Sequence, residues 1–441
     1  MSGPAVKAGY AAASTDGGHS GPMDDLSWAL TKDRTVNWDL LQNFATRSLA
    51  DQVYVGKTIT EQFYGKPPHH SYWNGCSMGG RQGYMMAQKY PDLLDGIMAS
   101  APSLSMTYLA MGDYWPQIVM QESRTWVSNC EFKWFAKKTM EACDMLDGVR
   151  DNVITDPEEC TFDPQRLVGE KIQCDGKEVK ITTAMADVVQ KIFEGPKTPY
   201  GGRLWFGLPH GTDVQSLANI SIAEDLRSAN PFGISSAWLK YLVLKDPKFN
   251  LSKIDYGTYA ALWTQANQEY DWILNADNAD LTVFRKAGGK LLSWHGINDQ
   301  LIPYTNTLQY RNRVEKEMGG PAKVNEFYRL FLAPGVAHCG GGTGPMPTDA
   351  LDKLVEWVEH GEAPETLDAR TVDHKGELWS REICVWPKKM KYMGFGDAKR
   401  ASSWSCEGGE ELEGEHVDKG PDFLGGLKDR LLGLGMGLKI N

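Results

Sequence analysis

The chain has 441 residues, of which 41% are hydrophobic and 15 are Trp; that is enough apolar surface for a large core, and it excludes disorder as the main state. Its net charge of −11 argues against a general nucleic-acid binder, which needs a basic face. No run of about 18 apolar residues occurs, so no segment reads as a membrane span, and the 46 Gly and 22 Pro are scattered without period, which excludes a collagen-like chain.

Residues 5–15 (AVKAGYAAAST) are small and apolar and predict a buried strand, ended by the turn Asp16-Gly17-Gly18-His19. Trp38, Leu41, Phe44, Ala45, Leu49 and Val53 follow helical spacing and predict a helix over 38–63. Gly65-Lys66-Pro67-Pro68 stops it. Ser71-Tyr72-Trp73-Asn74 predicts a short strand, and RQGYMMAQKY at 81–90 a helix. From about Pro102 the texture changes. Residues 103–280 are rich in Trp and turns and lack strand–helix alternation. Alternation returns near 285, with a strand at 291–294, a helix at 304–318, a strand at 327–332 and a helix at 349–360. The pattern predicts one α/β domain, built from 1–102 and 281–410, interrupted by an insertion at 103–280. The end, 411–441, is acidic and then Leu/Gly-rich; its glycines predict weak structure, with a membrane-surface helix as the alternative.

Between the strand at 71–74 and the helix at 81–90 lies Gly75-Cys76-Ser77-Met78-Gly79, which fits G-x-S-x-G. In that motif glycines relieve crowding around a tight strand-to-helix turn, and the Ser Oγ projects above the sheet. An ordinary Gly-rich turn is the bland alternative, but the flanking strand and helix are the context the motif requires. A nucleophilic Ser needs a base, and the base an orienting carboxylate. With the chain order Ser, acid, His, Ser77, Asp299 and His338 are the candidates, the last two in loops after strands. His295 precedes the acid and is set aside as base. A capping Asp and a structural His are the alternatives for Asp299 and His338. His69 and His70 precede the strand and read as ordinary surface residues.

Eight cysteines and no CxxC pair favour four disulfides over a zinc or thioredoxin-like site. Cys76 directly precedes the candidate nucleophile and Cys339 directly follows the candidate base. If Ser77 and His338 meet, these two sulfurs must lie close. A bridge between them would staple the two loops and contribute roughly 5 kcal/mol in the chain-entropy model. Cys143 and Cys160 bracket a loop with Asp144, Asp147 and Asp151 around Gly148, whose carboxylates are hard ligands suited to calcium. The spacing is not that of an EF-hand, and a solvated acidic loop is the alternative. Asn219-Ile-Ser and Asn250-Leu-Ser match the glycosylation pattern. The first residues show no basic segment followed by an apolar one, so no signal peptide is expected.

Together GYAAASTDGGH at 9–19, YWNGCSMGGRQGYMMAQKYPDLLDGIMASAPS at 72–103, CDMLDGVRDNVITDPEEC at 143–160, DLTVFRKAGGKLLSWHGINDQLIPY at 280–304 and HCGGGTGP at 338–345 resemble the tannase and feruloyl esterase family. The resemblance covers nearly the whole chain. It implies an α/β-hydrolase core with a large inserted lid, secretion, and hydrolysis of phenolic esters such as those of plant cell walls, without an organic cofactor. Ser77, Asp299 and His338 match the family's triad, and the Met78 N–H one donor of its oxyanion hole. Structural Ca2+ would be held by the side chains of Asp144, Asp147 and Asp151 and the carbonyls of Val149 and Val153. The implied disulfides are Cys76–Cys339, Cys143–Cys160 and Cys384–Cys406, which leaves Cys130 and Cys174 for each other. Galloyl esters are the alternative substrate. The chain starts close to the GYAAASTD segment, so it resembles a member shortened at its N-terminus, without the Gly-rich loop that carries the second oxyanion donor. The expectation is then a weak esterase, with an inactive calcium-binding protein as the rival.

Overall fold

Four short strands form the centre of the molecule, and the computed structural model describes it for residues 2–408 except 175 and 225. They are β1 (Tyr72–Cys76), β2 (Gly96–Ser100), β3 (Lys290–Gly296) and β4 (Tyr328–Ala333), all parallel in the order β1-β2-β3-β4. Cys76 pairs with Ser100, Ser100 with Trp294, and Gly296 with Ala333, so the carboxyl ends of all four strands lie along one edge. Ligand chemistry in open parallel sheets is built at that edge.

Both faces of this sheet are covered, and side chains alternate between two cores. Ile97, Ala99, Leu291, Tyr328 and Leu330 pack into one apolar cluster with residues of α1 (Ser48–Tyr64), α2 (Met78–Lys89) and α3 (Tyr304–Met318). Met98, Leu292, Trp294, Phe331 and Ala333 enter a second cluster with Leu354 and Trp357 of α4 (Ala350–His360) and with an antiparallel layer, Thr366–Val372 against Leu378–Cys384. The helix expected at 38–63 is helical throughout, from Trp38–Gln42 through a π-helical turn at Asn43–Arg47 into α1. It ends at Gly65 in the left-handed conformation, φ 71°, which glycine adopts without strain.

The long excursion between β2 and β3 is helical, with two short hairpins, Lys171–Cys174 with Lys177–Lys180 and Ile220–Ala223 with Leu226–Ala229. Its tryptophans are largely core. Trp115, Trp205, Trp238 and Trp263 are buried in a separate apolar cluster that also takes in Leu26, Ala29, Val36, Leu41 and Ala45 from before β1. Arg81 of α2, fully buried, donates from Nε to the Leu274 carbonyl at 2.5 Å and from Nη1 to that of Ala45 at 3.3 Å. One side chain thus ties the helix after Ser77 to the end of the excursion.

The strand expected at 5–15 is not formed. Ser2–Lys7 is a short helix, and 10–16 is an irregular stretch, exposed from Ala11 on. It lies against α1 and β1 through side chains: Gln52 Nε2 donates to the Ala13 carbonyl at 2.9 Å, and the Tyr10 ring meets Tyr72 edge-on at 6.5 Å. A run of Ala, Gly and Ser has neither β-branched bulk nor alternation, so its smallness does not specify a strand. Among the described residues no helix is long and apolar enough to cross a membrane. The tail at 411–441 lies outside the described residues.

Candidate active site

Ser77 stands between β1 and α2 with φ 63° and ψ −119°, a conformation that side-chain-bearing residues rarely adopt. Its N–H donates to the Ser100 carbonyl at 3.0 Å, and its own carbonyl accepts from the Arg81 N–H at 2.9 Å. Glycine is required on both sides. A Cβ at Gly75 would sit 2.4 Å from the Gly79 carbonyl oxygen, and one at Gly80 2.5 Å from that of Ser100. Gly79, the last glycine of the motif, has nothing within 4 Å of such a Cβ, so the packing demand falls on its neighbour Gly80. Helix α2 begins at Met78, earlier than the expected 81, because Ser77 serves as its N-cap. The Met78 N–H is therefore in the first turn, where backbone N–H groups lack helical partners.

Asp299 follows β3 and is fully buried. Its Oδ1 accepts the N–H groups of Leu301 and Ile302, both at 2.9 Å. Its Oδ2 accepts from His338 Nδ1 at 2.8 Å and from His295 Nε2 at 3.2 Å. Burial alone would raise this carboxyl. The hydrogen bonds and charges of His295 and His338 outweigh burial and hold it at about 2. The carboxylate is therefore ionised and fixes His338 with a proton on Nδ1, leaving Nε2 free to accept one. The His338 N–H donates to Gln300 Oε1 at 3.0 Å, which sets the loop.

The Cys76–Cys339 bridge, with Cα atoms 5.8 Å apart, joins the Ser77 turn to the His338 loop across 263 positions of sequence. Cys130–Cys174, Cys143–Cys160 and Cys384–Cys406 are bridged as well. Ser77 Oγ and His338 are not hydrogen-bonded to each other; such contacts often tighten only with substrate bound.

Two residues went unassigned in the sequence. His295, set aside as a base, is fully buried on the acid. Its Nε2 also meets the Ile302 carbonyl at 3.0 Å and must carry a hydrogen, since that carbonyl only accepts. Thr307 Oγ1 at 2.9 Å holds the other ring nitrogen. Asp113, in the excursion, is buried, and burial with the nearby Asp299 charge raises its carboxyl well above the ordinary range. It lines a small cavity of about 20 Å³ with Trp115, Trp205, Phe206, Leu301 and Pro303. The cavity abuts the Asp299 loop through Leu301 and Pro303; Ser77 and His338 are not in its walls. The buried Trp205 Nε1 has no hydrogen-bond partner among the described residues. Neither feature is legible from spacing, because each depends on what the insertion folds against.

The acidic loop fits calcium by its donor chemistry. Asp144 Oδ1 accepts the N–H groups of Asp151 and Val153 at 3.2 and 3.3 Å, and Asp147 Oδ2 accepts from Thr155 Oγ1 at 2.5 Å. Burial raises the Asp151 carboxyl to about 7; Arg381, whose Nη2 lies 3.0 Å from Asp151 Oδ2, opposes the shift, while Asp147 and Asp144 add to it. The carbonyls of Val149 and Val153 accept no hydrogen bond among the described residues. A dication would relieve the carboxylate repulsion and use those carbonyls. The three carboxylates are not gathered within 4.8 Å of one another; among the described residues the side chains that are so gathered are His69, His70 and Glu359. If the loop holds calcium, chelation should lower the Tm of metal-loaded protein, and Asp147→Ala should remove that sensitivity. Identical melting curves with and without chelator would exclude the assignment.

A family model described as tannase and feruloyl esterase matches residues 2–407. A probable feruloyl esterase of Arthroderma benhamiae is 45% identical over 411 residues, covering 92% of this chain and 76% of that protein. Among solved structures, an esterase from Aspergillus oryzae superposes with TM-score 0.76 at 29% identity, covering 89% of this chain and 78% of that one. The tannin acyl hydrolase from Aspergillus niger shares the fold, with TM-score 0.82 at 24% identity over 90% of this chain and 75% of its own.

Proposed function

Because the chain belongs to the tannase and feruloyl esterase family, we propose that it is a serine carboxylic ester hydrolase acting on esters of phenolic acids of the ferulate type. The observation that carries this reading is the backbone of Ser77, strained at φ 63° and stapled through Cys76–Cys339 to the loop of a histidine paired with Asp299.

Ser77 is the nucleophile, His338 the base and Asp299 the orienting acid. As Oγ attacks the ester carbonyl carbon, its proton passes to His338 Nε2. The imidazolium is stabilised by the ionised Asp299 through Nδ1–H. The Met78 N–H donates to the oxyanion. Collapse breaks the carbon–oxygen bond of the ester, and His338 returns the proton to the departing alkoxide. Water then attacks the acyl-enzyme by the same route, giving its proton to His338, and the acid leaves as the proton returns to Ser77 Oγ. No organic cofactor takes part. The excursion at 103–280 acts as the lid over the core of 1–102 and 281–410. His295 holds the second side of the carboxylate and is a positioning residue. Calcium, held by Asp144, Asp147, Asp151 and the carbonyls of Val149 and Val153, would brace the lid rather than react.

The protein is exported and acts on plant cell-wall esters, a reading supported by its four disulfides, which persist in oxidising compartments. Hydrolysis of methyl ferulate and methyl gallate, measured side by side, tests the reading. Faster turnover of the ferulate ester is expected; a strong preference for gallate makes the protein a tannase, and no turnover of either removes the ester reading.

A further inference from the structure

At the opposite end of β1 from Ser77, three metal-binding side chains converge. His69 and His70 precede the strand, and Glu359 lies in the last turn of α4. Adjacent residues of extended chain point to opposite sides, but the backbone bends at His69, and both rings turn to one place. His69 Nδ1 and His70 Nδ1 are 3.1 Å apart, and His70 Nδ1 is 3.3 Å from Glu359 Oε1. All three ligand atoms lie within 4.8 Å of one another. Tyr72 Oη donates to the same Glu359 Oε1 at 2.7 Å and orients the carboxylate.

The two separations from His70 Nδ1 match the edges of a coordination polyhedron. With zinc–nitrogen and zinc–oxygen bonds of about 2.0–2.1 Å, the edge of a tetrahedron is about 3.3 Å. A proton explains the triangle less well. One N–H on His70 Nδ1 cannot aim at both His69 Nδ1 and Glu359 Oε1, whereas one ion between them satisfies all three. The ligand set, two imidazoles and a carboxylate, suits zinc and cobalt rather than calcium. Glu359 also stands at a helix C-terminus, where the aligned peptide dipoles favour a cation.

We propose that His69, His70 and Glu359 bind one Zn2+ ion, with water in the fourth position, as a clip between the segment entering β1 and the end of α4. The strand holds this ion about 20 Å from Ser77, so it takes no part in ester hydrolysis, and the proposal is independent of that chemistry.

The test is calorimetric titration of the full chain with Zn2+ in calcium-saturating buffer, which keeps the acidic loop from competing, together with the visible spectrum of the Co2+ form. One Zn2+ per chain is expected, with the intense absorption of four-coordinate cobalt. His70→Ala and Glu359→Gln should each weaken binding at least tenfold and abolish the cobalt band, while kcat on methyl ferulate and the metal-free Tm stay unchanged. Unaltered Zn2+ affinity in both variants, or a weak six-coordinate cobalt spectrum in the parent chain, would overturn the assignment. Should His70→Ala fold poorly, His69→Ala supplies the same comparison.

Discussion

Ser77→Ala is expected to lower kcat on methyl ferulate by about 10⁶-fold, the scale seen when a triad nucleophile is removed, while leaving the fold intact. Alanine keeps the Cβ and therefore keeps the backbone strain at φ 63°, so Tm should barely move. Ser77→Gly separates the two roles of the position. It should be as inactive as the alanine variant but more stable, by about 1–3 kcal/mol, because glycine tolerates that backbone. Loss of activity with a raised Tm in Ser77→Gly would mark a residue held in strain for function. Activity retained in either variant would move the nucleophile elsewhere.

Asp299→Asn should lower kcat by about 10⁴-fold with little change in shape. The asparagine oxygen can still accept the Leu301 and Ile302 N–H groups, but its amide then faces His338 Nδ1. That orientation favours the tautomer with the proton on Nε2, which cannot take the Ser77 proton. The variant also has a pH signature. The native carboxyl is held at about 2, below its value of about 3.9 in an unfolded chain. Its stabilising contribution, about 2–3 kcal/mol, is therefore present above about pH 4 and is lost as pH falls through about 2. Parent and variant should differ in Tm at pH 7 and converge near pH 2. A stability difference that grows on acidification would contradict the ionised carboxylate with its four hydrogen bonds.

The sequence carried the parts of this site that rest on local sterics and on covalent pairing. Gly75 and Gly80 are dictated by backbone approaching within van der Waals distance, so the turn around Ser77 is visible as a string of residues. The helix at 304–318 and the short apolar strands at 291–294 and 327–332 lie within about two residues of where the sequence places them. Cys76 and Cys339 flag two loops that meet although 263 positions separate them. What was not legible depends on tertiary context. The Ala-rich run before residue 16 has no pattern to distinguish strand from coil. His295 looked like a rival base, because nothing in the sequence reveals that its ring lies beneath the carboxylate rather than beside the nucleophile. Asp113 carries no motif at all; its carboxyl is raised by burial in the insertion and by the Asp299 charge. The meeting of His69, His70 and Glu359 joins a loop before the first strand to a helix nearly 290 residues later, and no spacing announces it.

The central claim is that Ser77 carries the acyl group during turnover. Mixing the chain with the activated ester p-nitrophenyl ferulate and quenching in acid within the first turnovers traps whatever covalent species forms. Intact-mass measurement should show one feruloyl group added per chain, and peptide mapping should place it on the peptide holding Cys76-Ser77-Met78. A feruloyl group on another residue, or p-nitrophenol and ferulate released together while the protein stays unmodified at every quench time, would contradict the account.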